Sequence, residues 1–123
     1  MGLGRVGFGL VRRGKAGLNK GGEMTGKYIL EGKVPKLVQD VMEWSRWFES
    51  ADRQVARTKK GEVLVSTVFL GLDYSFDGGL PILYETMVFG GEFNYEQERY
   101  HTWEDAEEGH RQMVAKVFKE VSL

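Results

Sequence analysis

Val65-Ser-Thr-Val-Phe-Leu-Gly-Leu-Asp73 and Ile82-Leu-Tyr-Glu-Thr-Met-Val-Phe89 decide how this chain folds. Both runs are rich in β-branched and aromatic residues, whose stiff side chains pack well on a pleated surface. The second alternates Ile82, Tyr84, Thr86 and Val88 against Leu83, Glu85, Met87 and Phe89. A period of two puts these sets on opposite faces of a strand. One strand is therefore expected over about 63–73 and its partner over about 82–89. Between them, Asp77-Gly78-Gly79 supplies positions that tolerate positive φ, and Pro81 fits only a strand start or an edge.

Outward from this pair the same signals recur. Residues 28–31 and 34–38 read as a hairpin across Gly32-Lys33, with Pro35 on its exposed side. Residues 54–58 and those from Glu62 onward form strands around Lys59-Lys60-Gly61. After Gly90-Gly91, residues 95–101 make a polar edge strand. Asp40-Val-Met-Glu43 has the form of a capping box, with the Asp40 carboxylate accepting from the Glu43 amide. It opens a helix whose Val41, Trp44, Phe48 and Ala51 share a face, with Trp47 beside them. Thr102-Trp-Glu-Asp105 opens a second helix with a stripe of Trp103, Ala106, His110, Met113, Val114, Val117, Phe118 and Val121. Gly109 inside it costs about 1 kcal/mol relative to alanine, which is tolerable where something packs close. The order predicts an α+β two-layer sandwich. A mostly antiparallel sheet of about four to six strands would carry two amphipathic helices on one face.

Composition limits what such a domain can do. The chain has 123 residues, 41% of them apolar, and no run near the roughly 18 apolar residues of a membrane span. It has no cysteine, which excludes disulfides and thiolate metal sites and fits a reducing cytoplasm. Residues 1–23 hold five Lys/Arg, one Glu and 8 of the 17 glycines. Subtracting those charges from 17 basic and 18 acidic residues leaves 12 and 17, a net of −5 for 24–123. Phosphate binding needs clustered cations, so nucleic acid is not expected as a partner of 24–123. Two units follow: 1–23, and a single α+β domain over 24–123. The first is either a disordered arm, basic enough to touch nucleic acid, or a translated leader. The leader reading rests on Lys20-Gly21-Gly22-Glu23-Met24, which AAA-GGA-GGA-GAA-ATG would encode, a ribosome-binding site before a start codon.

The residues with chemical potential are few. Glu85 shares a strand face with Leu83, Met87 and Phe89, where a carboxylate has a raised pKa and serves as general acid or base, pairs with Arg99 or another cation across the sheet, or simply faces solvent on the uncovered side. Asp73, Tyr74, Glu85 and His101 make a candidate small-ligand or nucleotide site, with turn chemistry as the alternative for the loop acids. Arg46, Trp47 and Tyr100 are candidates for partner contact, since aromatic residues and arginine dominate binding hot spots. His110 lies on the apolar stripe, where hydrogen-bonded core is the ordinary role of a histidine. No nucleophile–histidine set, zinc motif or phosphate loop is present, so no catalytic residue, metal or cofactor is assigned and an enzyme is the least supported class.

The runs Val65 to Asp73, Leu83-Tyr-Glu-Thr-Met-Val-Phe-Gly90 and Arg99-Tyr-His-Thr-Trp-Glu-Asp-Ala-Glu-Glu-Gly-His110 resemble a family of small uncharacterised proteins encoded by tailed phages and prophages. Trp44-Ser-Arg-Trp-Phe-Glu49 and Arg53-Gln-Val-Ala56 fit the same pattern, while residues 1–23 fall outside it. The resemblance implies expression in an infected bacterial cytoplasm and supplies no activity or catalytic residues. The resulting expectation is an accessory protein that binds a host protein, in host modulation or counter-defence. Ligand binding near Asp73, Tyr74 and Glu85 is the first alternative, and nucleic-acid binding through the N-terminal arm the second.

Overall fold

A computed structural model describes residues 26–119 and the backbone of Leu18–Asn19 and Glu23–Met24. Those two dipeptides, β1 and β2, pair antiparallel by themselves. Everything else proposed for 1–23, leader or basic arm, lies outside the described residues.

Strands β3 (Lys27–Glu31) and β4 (Val34–Val38) form the expected first hairpin. Gly32 at φ +65 provides the first central position of a turn that follows the twist of the strands. Helix α1 (Val41–Ser50) follows, capped by Asp40. The carboxylate accepts from the Met42 amide at 2.8 Å, one residue earlier than the capping box predicts. Strands β5 (Gln54–Lys60), β6 (Val63–Phe69), β7 (Tyr84–Phe89) and β8 (Gln97–Tyr100) then form an antiparallel meander in chain order. Helix α2 (Trp103–Phe118) closes the fold, with the Thr102 hydroxyl accepting from the Asp105 amide at 3.0 Å as its sequence predicts.

The architecture is thus α+β, with helices on an antiparallel sheet. Differences from the sequence reading are local and have backbone causes. Lys59 and Lys60 stay in β5, because the turn falls on Gly61 at φ +60. Strand β6 stops at Phe69 rather than Asp73, because Gly71 turns the chain at φ +81. A bulge after Gln54 lets Val55 reach the core, and the Gln54 amide covers the irregularity by donating to the Ala56 and Thr67 carbonyls.

Both helices lie on the same side of the sheet. Val65, Val88 and Met113 of α2 form one buried cluster. Phe69, Leu83, Tyr84 and Ala106 form the other, with Trp47 of α1 against it. Trp47 meets Phe69 edge to face, 5.8 Å between centroids. Trp44 stacks on Phe48 and donates from Nε1 to the Gly71 carbonyl at 3.0 Å, which ties α1 to the end of β6.

Candidate functional site

Register decides what the other side of the sheet presents. Val65 pairs with Val88 and Thr67 with Thr86, and all four are buried under α2. Their neighbours along each strand therefore point the other way. On that face Leu64 stands opposite Phe89, Ser66 opposite Met87 and Val68 opposite Glu85. Strand β5 adds Lys59 beside Leu64 and Arg57 beside Ser66, and β8 adds Gln97 beside Met87 and Arg99 beside Glu85. Among the described residues neither helix covers this face. Phe89 is 42% exposed and Tyr95, whose ring meets it edge-on at 6.4 Å, is 68% exposed.

At the other end of the face lies the acid singled out in the sequence. Arg99 Nε donates to Glu85 Oε2 at 3.0 Å, and both side chains are largely shielded. This is the cross-strand pairing that was the ordinary reading of Glu85. The Arg99 guanidinium also lies 5.0 Å from the centre of the Tyr74 ring. Tyr74 and Glu85 are thus brought together through Arg99. Asp73 is occupied otherwise: its Oδ1 accepts from the Ser75 amide at 2.7 Å and the Ile82 amide at 3.0 Å, closing the loop between β6 and β7. His101, exposed, donates from Nδ1 to the Pro81 carbonyl at 2.7 Å and pins the same loop to the start of α2.

Tyr100 and His101 border a hollow of about 370 Å³ between β8 and α2. Asp105, Glu108 and Gln112 form its other wall, with Gly109 between. Glu108 already accepts from Arg111 and Gln112, and those bonds hold its carboxyl below the ordinary range. Of the partner candidates, Arg46 is exposed on α1, Trp47 is half-buried on Phe69, and Tyr100 is half-buried on α2.

From Tyr100 a hydrogen-bonded chain runs inward that sequence reading did not find. The Tyr100 hydroxyl donates to Thr86 Oγ1 at 3.0 Å. Thr86 and Thr67 hydroxyls are 2.5 Å apart, Thr67 lies 2.7 Å from His110 Nδ1, and His110 Nε2 lies 2.9 Å from Thr58. The direction that gives the buried Thr86 and Thr67 protons acceptors ends on Nδ1. It leaves His110 neutral, donating from Nε2 to Thr58. Burial pushes the His110 pKa down, and burial, with Glu98 nearby, pushes the Tyr100 phenol up to about 12 despite its bond to Thr86. The chain is a satisfied polar core, the role expected of His110. Its missed signal was two threonines, 67 and 86, at inward positions of the two central strands.

Among the described residues no group of acids and histidines is placed to hold a metal ion, and no helix is long and apolar enough to cross a membrane. Comparison with protein-family models, curated proteins and solved structures gave no match.

Proposed function

We propose that this chain is a small phage- or prophage-encoded accessory protein that acts by binding a protein of its bacterial host, in the host cytoplasm, toward host modulation or counter-defence. The provenance rests on the resemblance of the strand and helix motifs. The mode of action rests on one observation: the four-stranded sheet puts both helices on one side and leaves Leu64, Met87 and Phe89 on the other. Phe89 is exposed there and Leu64 and Met87 are part-buried beside it, and apolar side chains grouped outside the core are characteristic of a surface that meets another protein. The test is co-purification: the tagged chain is expressed in bacteria, each recovered protein is purified, and the two are mixed on a sizing column. Co-elution with one purified protein supports the reading. A chain that elutes alone beside every candidate contradicts it.

The hollow lined by Arg99, Tyr100 and His101 supports a second reading, a small-ligand or nucleotide binder; Tyr74 and Glu85, which meet Arg99 on the other face of the sheet, do not line it. Asp73 contributes to that reading only by shaping the loop, since its Oδ1 is held by backbone amides. Thermal-shift screening separates the two readings. A ligand at roughly 100 times its Kd stabilises the fold by about 2.7 kcal/mol, and no shift with any nucleotide or metal counts against the ligand site.

A further inference from the structure

We infer that the Tyr95 end of the open sheet face is a docking site for an acidic protein segment anchored by an apolar side chain. This rests on the protein-binding reading above and adds a place and a chemistry to it. Leu64 and Phe89 are direct cross-strand partners, Met87 lies two residues along the same face, and the Tyr95 ring stands edge-on to Phe89. The four side chains are therefore one continuous strip.

The backbone supplies an independent observation. Tyr95 sits at φ 72, a left-handed conformation in which Cβ crowds the following carbonyl. The turn holds it there: the Tyr95 amide donates to the Val88 carbonyl at 2.7 Å, and the Glu96 amide to the Phe93 carbonyl at 2.9 Å. The same turn uses glycine at its other left-handed positions, Gly90 at φ +93 and Gly91 at φ +74. At Tyr95 the strained position carries a large ring that stays 68% exposed, so core packing does not compensate for the strain. Strain kept to hold an exposed aromatic on an apolar strip points to recognition.

Charge selects the occupant. Arg57 and Lys59, both exposed, flank the strip on β5, while residues 24–123 carry a net charge of −5. A cationic rim on an otherwise acidic domain steers carboxylates toward this face and basic segments away from it. Leu64 and Met87 offer aliphatic surface to an apolar side chain. Nucleic-acid bases stack on flat aromatic platforms, whereas Phe89 and Tyr95 lie at 87° to each other. A protein segment fits this surface better than a base.

The test pans displayed random peptides against the domain and titrates the enriched peptide by fluorescence anisotropy. The expected peptides carry Leu, Phe or Trp among Asp and Glu. Tyr95→Gly and Arg57→Glu should each weaken binding about tenfold or more. Tyr95→Gly removes the left-handed strain, so its Tm should equal or exceed that of the parent, and lost binding then reports the missing ring. Basic peptides, peptides that Tyr95→Gly still binds equally, tighter binding of oligouridylate than of any peptide, or self-association as the sole Tyr95-dependent event would each overturn the site. Peptides that dock elsewhere leave the protein-binding reading standing. If neither peptide nor bacterial protein binds, both fail.

Discussion

The ring of Tyr100 lies across Gly109, in the space that a side chain at that position would fill. The glycine that looks like a flaw in the sequence of α2 is what lets β8 and α2 meet.

Gly109→Ala should therefore destabilise the domain. An exposed helical glycine gains about 1 kcal/mol on becoming alanine, but here the added methyl meets Tyr100 Cε1, Cζ and the hydroxyl. Overpacking typically costs about 1 to 3 kcal/mol, enough to reverse the sign. Urea denaturation measures it. A variant more stable than the parent would show that Tyr100 yields freely.

Thr67→Val should cost about 1 to 3 kcal/mol, because it removes the hydroxyl between Thr86 and His110 and leaves buried partners unsatisfied. The isosteric methyl keeps the packing, so the loss reports hydrogen bonding. Thermal melts beside Ser66→Ala, on the opposite face, give the comparison. Equal, small effects would mean that the chain is not coupled.

Stability should fall on mild acidification because of His110. Its folded pKa is lowered below the ordinary 6.5, so the unfolded chain takes up the proton first. The contribution is complete above about pH 6.5 and is lost as pH drops toward the folded pKa, with a slope of at most about 1.4 kcal/mol per pH unit for one proton. Denaturation midpoints between neutral and mildly acidic pH should show this slope in the parent and not in His110→Gln. The same slope in both would assign it to other groups.

Asp73→Ala should loosen the loop between β6 and β7. The Ser75 and Ile82 amides lose their shared acceptor, at a cost of about 1 to 3 kcal/mol. Amide hydrogen exchange at 74–82 should quicken while the strands stay protected. Unchanged exchange would free Asp73 for the ligand role.

Much of this fold is legible in the sequence. The glycines of the hairpin turns, the caps at Asp40 and Thr102, the edge position of β8 and the core role of His110 all follow from local rules. Which sheet face is open does not. The inward set includes Thr67 and Thr86, and the outward set includes Leu64, Met87 and Phe89, so polarity along the strands runs partly against burial. The hydroxyls are tolerated inside because His110 and Tyr100, far along the chain, satisfy them. Alternation identifies two faces, but only tertiary partners identify the buried one. Of the candidate ligand residues, Glu85 and Tyr74 converge on Arg99, a placement set by strand register rather than by any motif.

The proposed binding through the open sheet face can be tested directly by photocrosslinking in bacteria. A photoreactive amino acid is placed at Met87 on the open face or at Gln112 on the exposed side of α2. The expected result is a discrete protein adduct from position 87, lost with Phe89→Ser, and none from position 112. Adducts from position 112 alone, or none from position 87 in cells that express the folded chain, would contradict binding through the sheet.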